Sequence, residues 1–288
     1  MNAQLHRLFA AALLLAGLAC LPQARAAESY DNCTGFIDTL PASISTQGTW
    51  CLRHDLSTSM SHGNAITIAN NNVTIDCNDF KVGGLAAGLS TTARGIYAEN
   101  RTNITIRNCA LRGFWVGAWT SGGAGHLIED NRVDSSIAVG LWVDGDNSIV
   151  RRNRVADIGG NTAGDITGII AQGDQTVVAD NVVTGVTGTP DPEGSAEGIS
   201  FSGYAGLVRG NYISSILPGT GVAVGMKSII GYMTIVEQNV ILNPSATAGR
   251  GIDVSAGSSR PVCLNNRVRN FTVSAYDTCI DGGGNFSN

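Results

Sequence analysis

Two short patterns recur in fixed order from residue 95 to residue 266, and such regular repetition restricts the fold to a stack of equivalent units. One pattern is Gly followed by alternating apolar residues. It stands at Gly95-Ile96-Tyr97-Ala98, Gly140-Leu141-Trp142-Val143, Gly168-Ile169-Ile170-Ala171, Gly198-Ile199-Ser200-Phe201 and Gly251-Ile252-Asp253-Val254, with a looser copy at Gly117-Ala118-Trp119. The other is an apolar pair followed by Asn, at Asn108, Asn131, Asn153, Asn181, Asn211, Asn239 and Asn266. Successive Asn residues are separated by intervals between 153 − 131 = 22 and 211 − 181 = 30 residues, the length of one solenoid turn. From Gly to Asn the interval is 13 in four copies, for example 153 − 140 = 13, so length variation falls in the connection after Asn.

Alternation with period two places Ile96, Ala98, Leu141 and Val143 inward and their neighbours outward. The expectation is an all-β parallel solenoid of about eight coils over residues 61–288, advancing about 4.8 Å per coil. Asn side chains at equivalent buried positions then bond from coil to coil as a ladder, a structural role without chemistry. Asp130, Arg152 and Asp180 share one position of the repeat, and Glu129 and Arg151 another, which reads as ion pairing between coils worth about 0–1 kcal/mol each.

The amino end reads as a secretory signal peptide, residues 1–26: Arg7 precedes the apolar run Leu8 to Leu18, and Ala24-Arg25-Ala26 has the cleavage spacing. That run is too short to span a bilayer, and no other segment approaches the length, so no membrane insertion is expected. Cys20 is not read as acylated, because Gly17 occupies a position where lipidation signals usually have Leu. Residues 27–60 are read as an amino-terminal cap and first strand segment, and residues 61–288 as the solenoid. Losing Arg7 and Arg25 leaves 16 basic against 23 acidic residues, a formal charge of 16 − 23 = −7. That field disfavours nucleic acid and anionic membranes, and it disfavours polyuronates unless a metal or an arginine cluster intervenes. Six cysteines remain, an even number that in an exported chain points to disulfides and to a secreted or periplasmic location. The favoured pairing is Cys33 with Cys51, Cys77 with Cys109 and Cys263 with Cys279, among fifteen that six cysteines allow.

The Gly-Ile and Asn positions resemble the right-handed parallel β-helix superfamily of pectate lyases, polygalacturonases, alginate-modifying enzymes and related carbohydrate-binding proteins. The opening segment agrees: Gly48-Thr49-Trp50-Cys51-Leu52, Ala65-Ile66-Thr67-Ile68 and Asn72-Val73-Thr74-Ile75-Asp76 resemble the first coil of exported members. The resemblance implies that the Gly-Ile sheet floors a substrate groove walled by the variable connections, with a polysaccharide or oligosaccharide as partner. It specifies a scaffold, not a reaction.

For chemistry the sequence offers candidates without a signature. A polygalacturonase-like hydrolase needs paired aspartates and Gly-His-Gly, and neither occurs. A lyase or epimerase needs a base near the sugar C5 and a group to neutralise the uronate, commonly calcium held by carboxylates. Asp165, Asp191, Glu193, Glu197, Lys227 and Arg250, on successive connections and strands, are the candidates for such a site, with calcium as its cofactor. The competing reading is that Thr189 to Gly194 is a rigid turn and that the loop acids are simply hydrated. His126, following Gly125, reads as a surface turn residue. Two classes stay open: a polysaccharide-binding protein that cleaves or epimerises its ligand, and a non-catalytic surface or periplasmic structural or adhesive protein.

Tyr97, Trp119 and Trp142 each stand two residues after a repeat Gly and so face outward on three consecutive coils. A row of outward rings suits the flat C–H faces of sugars, with Glu99 and Asp144 placed to accept hydroxyl hydrogen bonds. The competing expectation is that Phe36 to Leu40, or a long connection, covers the rings as core.

Overall fold

A computed structural model describes residues 30–228, 232–254 and 260–287. The signal peptide read at residues 1–26 and its cleavage point lie outside them. Residues 33–288 form one unit. Short alternating runs become strands, and each coil contributes one strand to each of three parallel sheets, of 11, 10 and 10 strands among the described residues. We call them the Gly-Ile sheet (Val139–Asp144 and its equivalents), the pre-Asn sheet (Leu127–Glu129) and the post-Asn sheet (Arg132–Asp134). The result is a right-handed parallel β-helix. The segment read as a cap is itself built into this stack: Gly35–Phe36, Ala42–Ile44 and Leu56–Ser57 add the outermost strand of each sheet.

Inward residues fill the bore. Ile96, Ala98, Leu141 and Val143 are at most 1% exposed. The repeat Gly is required by close approach: a Cβ on Gly140 meets the carbonyl oxygen of Gly168 on the next coil and Val155 Cγ1, both at 2.5 Å.

The corner between the pre-Asn and post-Asn sheets carries the ladder. Asn153 Nδ2 donates to Asn181 Oδ1 at 3.0 Å and to Ile128 O at 2.9 Å, and its Oδ1 accepts from the backbone N–H of Asn131 at 3.1 Å. The same pattern runs through Asn211, Asn239 and Asn266 and ends on Asn285, one rung beyond the repeat visible in the sequence. Asn108 requires correction. The rung facing Asn131 is Cys109, whose N–H donates to Asn131 Oδ1 at 3.0 Å, whereas Asn108 stands one residue earlier. That coil holds one residue more between its Gly and its corner, so the constant interval of 13 misplaced the register. Asn108 instead takes the left-handed corner conformation (φ 52°), as do Asp130, Arg152 and Asp180. Asn tolerates that region, because its short side chain can bond locally.

Outside the corner, Arg151 and Arg152 reach Glu129, and Arg152 reaches Asp130, each at 2.7 Å. These pairs run to the preceding coil, and no ion pair joins Arg152 to Asp180 among the described residues. The disulfides are Cys33–Cys51, Cys77–Cys109 and Cys263–Cys279, the pairing favoured above. They hold the two ends of the stack, where a solenoid has a neighbour on one side only.

His126 is also corrected, from surface turn to interior. It is 1% exposed, with Nε2 3.1 Å from the carbonyl oxygen of Gly122. The strand Val116–Ala124 is long and carries Gly122 and Gly123 in left-handed conformation, which folds the chain back over the ring. Burial pushes the His126 pKa below the ordinary histidine value.

Candidate glycan-binding face

The outer face of the Gly-Ile sheet is ordered by register. Thr67, Tyr97, Trp119, Trp142, Ile170, Ser200, Lys227, Asp253 and Asp277 are successive Cα partners, so they form one row along the axis. Three residues before each lies a second row, in which Arg94, Val116, Val139, Thr167, Glu197, Val224 and Arg250 are partners in turn. The face therefore has an aromatic half and a charged half. Trp142 and Lys227 are three strand spacings apart, about 14 Å.

In the aromatic half, Trp119 and Trp142 stack at 4.4 Å with an interplanar angle of 11°. Tyr97 meets Trp119 edge-on at 5.5 Å. All three rings are half-buried, packed chiefly by one another and by Trp115, Val116, Ala138, Val139 and Ile170. Arg94 places its guanidinium 4.6 Å from the ring centres of both Tyr97 and Trp119 and is braced by Asn64. Glu99 is exposed beyond Tyr97, and Asp144 is half-buried beyond Trp142.

Arg94 and Trp115 were not among the residues expected on this face. Arg94 precedes the repeat Gly, where simple alternation does not predict an outward side chain. Trp115 lies in the connection rather than in the alternating run.

In the charged half, Lys227 Nζ contacts Glu197 Oε1 at 2.5 Å and Asp165 Oδ2 at 3.7 Å. Glu197 is 3% exposed, and its other oxygen accepts from Thr167 Oγ1 at 3.5 Å. Burial pushes the Glu197 carboxyl above its ordinary value, with Lys227 pulling it back. Burial likewise works against the Lys227 ammonium, but Glu197, Asp165 and Asp253 outweigh it and hold the pKa above the ordinary lysine value. Its carboxylate neighbours thus favour the charged form of Lys227. Arg250 is bound to Asp253 at 3.1 Å and to Asp277 at 3.0 Å.

Of the six candidates, then, the structure joins Asp165, Glu197 and Lys227 directly, with Arg250 in the adjoining pair. Asp191 and Glu193 lie apart. The Asp191 carboxylate accepts the backbone N–H groups of Glu193 at 3.0 Å and Gly164 at 3.2 Å, which stitches two connections together. Those bonds hold its pKa below the ordinary carboxylate value. Glu193 is exposed. Among the described residues no group of three or more His, Cys, Asp or Glu is placed to hold a metal ion.

Residues 45–189, half of the chain, match the right handed beta helix region, and the chain belongs to that family. Among solved structures it is similar to the enzymatically active domain of tailspike protein 2 from bacteriophage CBA120, at 13% identity and TM-score 0.54. That match covers 89% of this chain and 46% of the tailspike, so the chain spans less than half of that protein's length. It is also similar to the A-module of the mannuronan C-5 epimerase AlgE6 from Azotobacter vinelandii, at 15% identity and TM-score 0.51, covering 88% of this chain and 80% of the module. No curated protein matches the chain in sequence. At these identities the structural likeness establishes the fold. Among the described residues no helix is long and apolar enough to cross a membrane, and the three disulfides accord with an extracellular or periplasmic protein.

Proposed function

We propose that this is an exported β-helix protein that binds a polysaccharide along the outer face of its Gly-Ile sheet, with Tyr97, Trp119 and Trp142 as the stacking platform. The observation that carries this reading is the half-exposed row of three rings in one register, two of them stacked at 4.4 Å. Large aromatic side chains kept in a contiguous outward patch are characteristic of binding surfaces. The name of one similar structure, a mannuronan epimerase, supports the same class of ligand.

Each ring that covers about 50 Å² of sugar contributes about 1.2 kcal/mol, nearly tenfold in affinity. Binding is therefore weak per residue and grows with chain length. Isothermal titration with hexasaccharides tests this: Trp142→Ala reduces affinity several-fold, and an unchanged affinity refutes the platform.

A catalytic reading, lyase or epimerase, has one observation in its favour, the buried Glu197 carboxyl held against the Lys227 ammonium and Asp165. Lys227 would neutralise a uronate there. Incubation with pectate and alginate, with and without calcium, checks this reading by the absorbance of the unsaturated lyase product and, for epimerisation, by proton NMR of the uronate residues.

A further inference from the structure

The connections that lead into the Gly-Ile sheet on neighbouring coils leave a cleft of about 350 Å³ beside the ring row. Its walls are Leu89 to Thr92 on one side and Gly160 to Thr162 on the other, with Trp115 and Ile137 between them. We infer that this cleft is a subsite for one uncharged sugar ring of the bound glycan, so that the preferred ligand is a neutral polysaccharide rather than a polyuronate. The inference rests on the glycan binding proposed above and goes further by assigning a second site and the ligand's charge class.

Three features of the cleft carry it. First, none of its lining residues is ionisable. A carboxylated sugar entering it would lose water without gaining a cation, a cost several-fold larger than burying a hydroxyl that finds a partner. Second, the cleft is continuous with the platform: Trp115 meets Trp119 edge-on at 6.3 Å, and both pack on the patch of Val116, Ala138 and Val139. A chain lying on Trp119 and Trp142 can therefore place a further ring against Trp115. Third, the cleft is preformed. The backbone N–H of Trp115 donates to Ala93 O at 2.8 Å and that of Asn161 to Ile137 O at 3.2 Å, which fixes the connections coil to coil. The Asn161 amide closes its own loop, with Nδ2 donating to Ala163 O at 2.8 Å and Oδ1 accepting from Thr162 N–H at 3.0 Å. Ser90 and Thr162 remain exposed at the rim, where their hydroxyls can bond sugar hydroxyls. The volume lies within the roughly 300–1,000 Å³ of small-molecule sites.

The charged half of the face agrees with this assignment. Asp165, Glu197, Asp253 and Asp277 outnumber Lys227 and Arg250, and both cations are already paired. A polyuronate extended from the rings toward that end meets net negative charge.

The test uses the mature chain and titrates defined hexasaccharides of glucose, mannose and galactose against hexamers of galacturonate and mannuronate. The proteins are wild type, Ser90→Arg, Trp115→Phe and Trp142→Ala, each first checked by circular dichroism for an unchanged fold. Ser90→Arg, at an exposed position, obstructs the cleft and adds a cation without disturbing the core. The expected result is that a neutral hexamer binds wild type more tightly than either uronate. Ser90→Arg should then weaken that neutral ligand about tenfold, and Trp115→Phe by a smaller factor. If Trp142→Ala weakens binding but Ser90→Arg and Trp115→Phe do not, the subsite is wrong and the platform stands. If uronate hexamers bind wild type more tightly than neutral ones, the charge assignment is overturned. If no hexamer binds wild type, the glycan reading fails and this inference with it.

Discussion

Replacing Asn181 by Leu removes the middle of the ladder without changing side-chain volume greatly. Asn181 is fully buried, and its amide donates to Val150 O at 2.9 Å and to Asn211 Oδ1 at 3.0 Å. Its Oδ1 accepts two donors from the preceding coil, the backbone N–H and the Nδ2 of Asn153, both at 3.0 Å. Leucine therefore strips partners from Val150 O, from one Asn153 Nδ2 hydrogen and, most seriously, from a buried backbone N–H. Unsatisfied buried groups cost about 1–3 kcal/mol each, and burying the new apolar side chain returns about 1.5–3 kcal/mol, leaving a net loss of about 3 kcal/mol. For a domain of this size each kcal/mol moves the midpoint by about 2–4 °C, so the expected fall in Tm is about 6–12 °C. Asn285→Leu, at the partly exposed end of the ladder, should cost much less. Thermal unfolding followed by circular dichroism measures both. An unchanged Tm for Asn181→Leu would refute the ladder as a source of stability.

Lys227→Met leaves the Glu197 carboxylate buried without its partner and should cost about 3–5 kcal/mol, whereas the double variant with Glu197→Gln should recover most of it; chemical denaturation of the four-member cycle decides this. The acid limb of stability follows from carboxylates such as Asp130, which the hydrogen bond from Arg152 holds below the ordinary value of 3.8: their contribution is present above that pH and is lost as pH falls through the lower folded pKa. Glu197, raised above 4.5 by burial, acts oppositely, and stability falls as pH rises from 4.5 through its folded pKa. Glu197→Gln should abolish that second phase and leave the acid limb in place, as Tm against pH would show. Thiol titration of the chain lacking residues 1–26, under denaturing and non-reducing conditions, should find no free thiol, and opening the Cys77–Cys109 bridge, of sequence separation 32, should cost about 2–4 kcal/mol.

The repeat was legible because the physics that builds it is local in sequence. Alternation fixes which side of a strand is buried, so Ile96, Leu141 and the outward Tyr97, Trp119 and Trp142 were placed correctly from spacing alone. Asn108 was misplaced because an extra residue between Gly95 and its corner shifts that corner by one position while leaving the neighbouring pattern intact. His126 was misread because Gly122 and Gly123 bend the chain through backbone conformation, which apolar spacing does not encode. The charged cluster was only half legible. Glu197 and Lys227 stand on neighbouring strands in rows three residues apart, a spacing that simple alternation does not put on one face, while Asp191 and Glu193, equally plausible by composition, serve a turn. Arg94 and Trp115 were missed for a related reason, since both precede the alternating run, Arg94 at the start of its strand and Trp115 in the connection before the next.

The indole N–H resonances of the four tryptophans report whether the ring row is the glycan platform. Trp115, Trp119 and Trp142 lie on the proposed face, and Trp50 lies on the pre-Asn sheet with its N–H donated to Thr46 O at 3.2 Å, an internal control. On titration of 15N-labelled protein with a neutral hexasaccharide, saturable shifts are expected at Trp119 and Trp142, with a shift at Trp115 and an unmoved Trp50. Shifts confined to Trp50, or binding that leaves Trp119 and Trp142 unmoved, would contradict it.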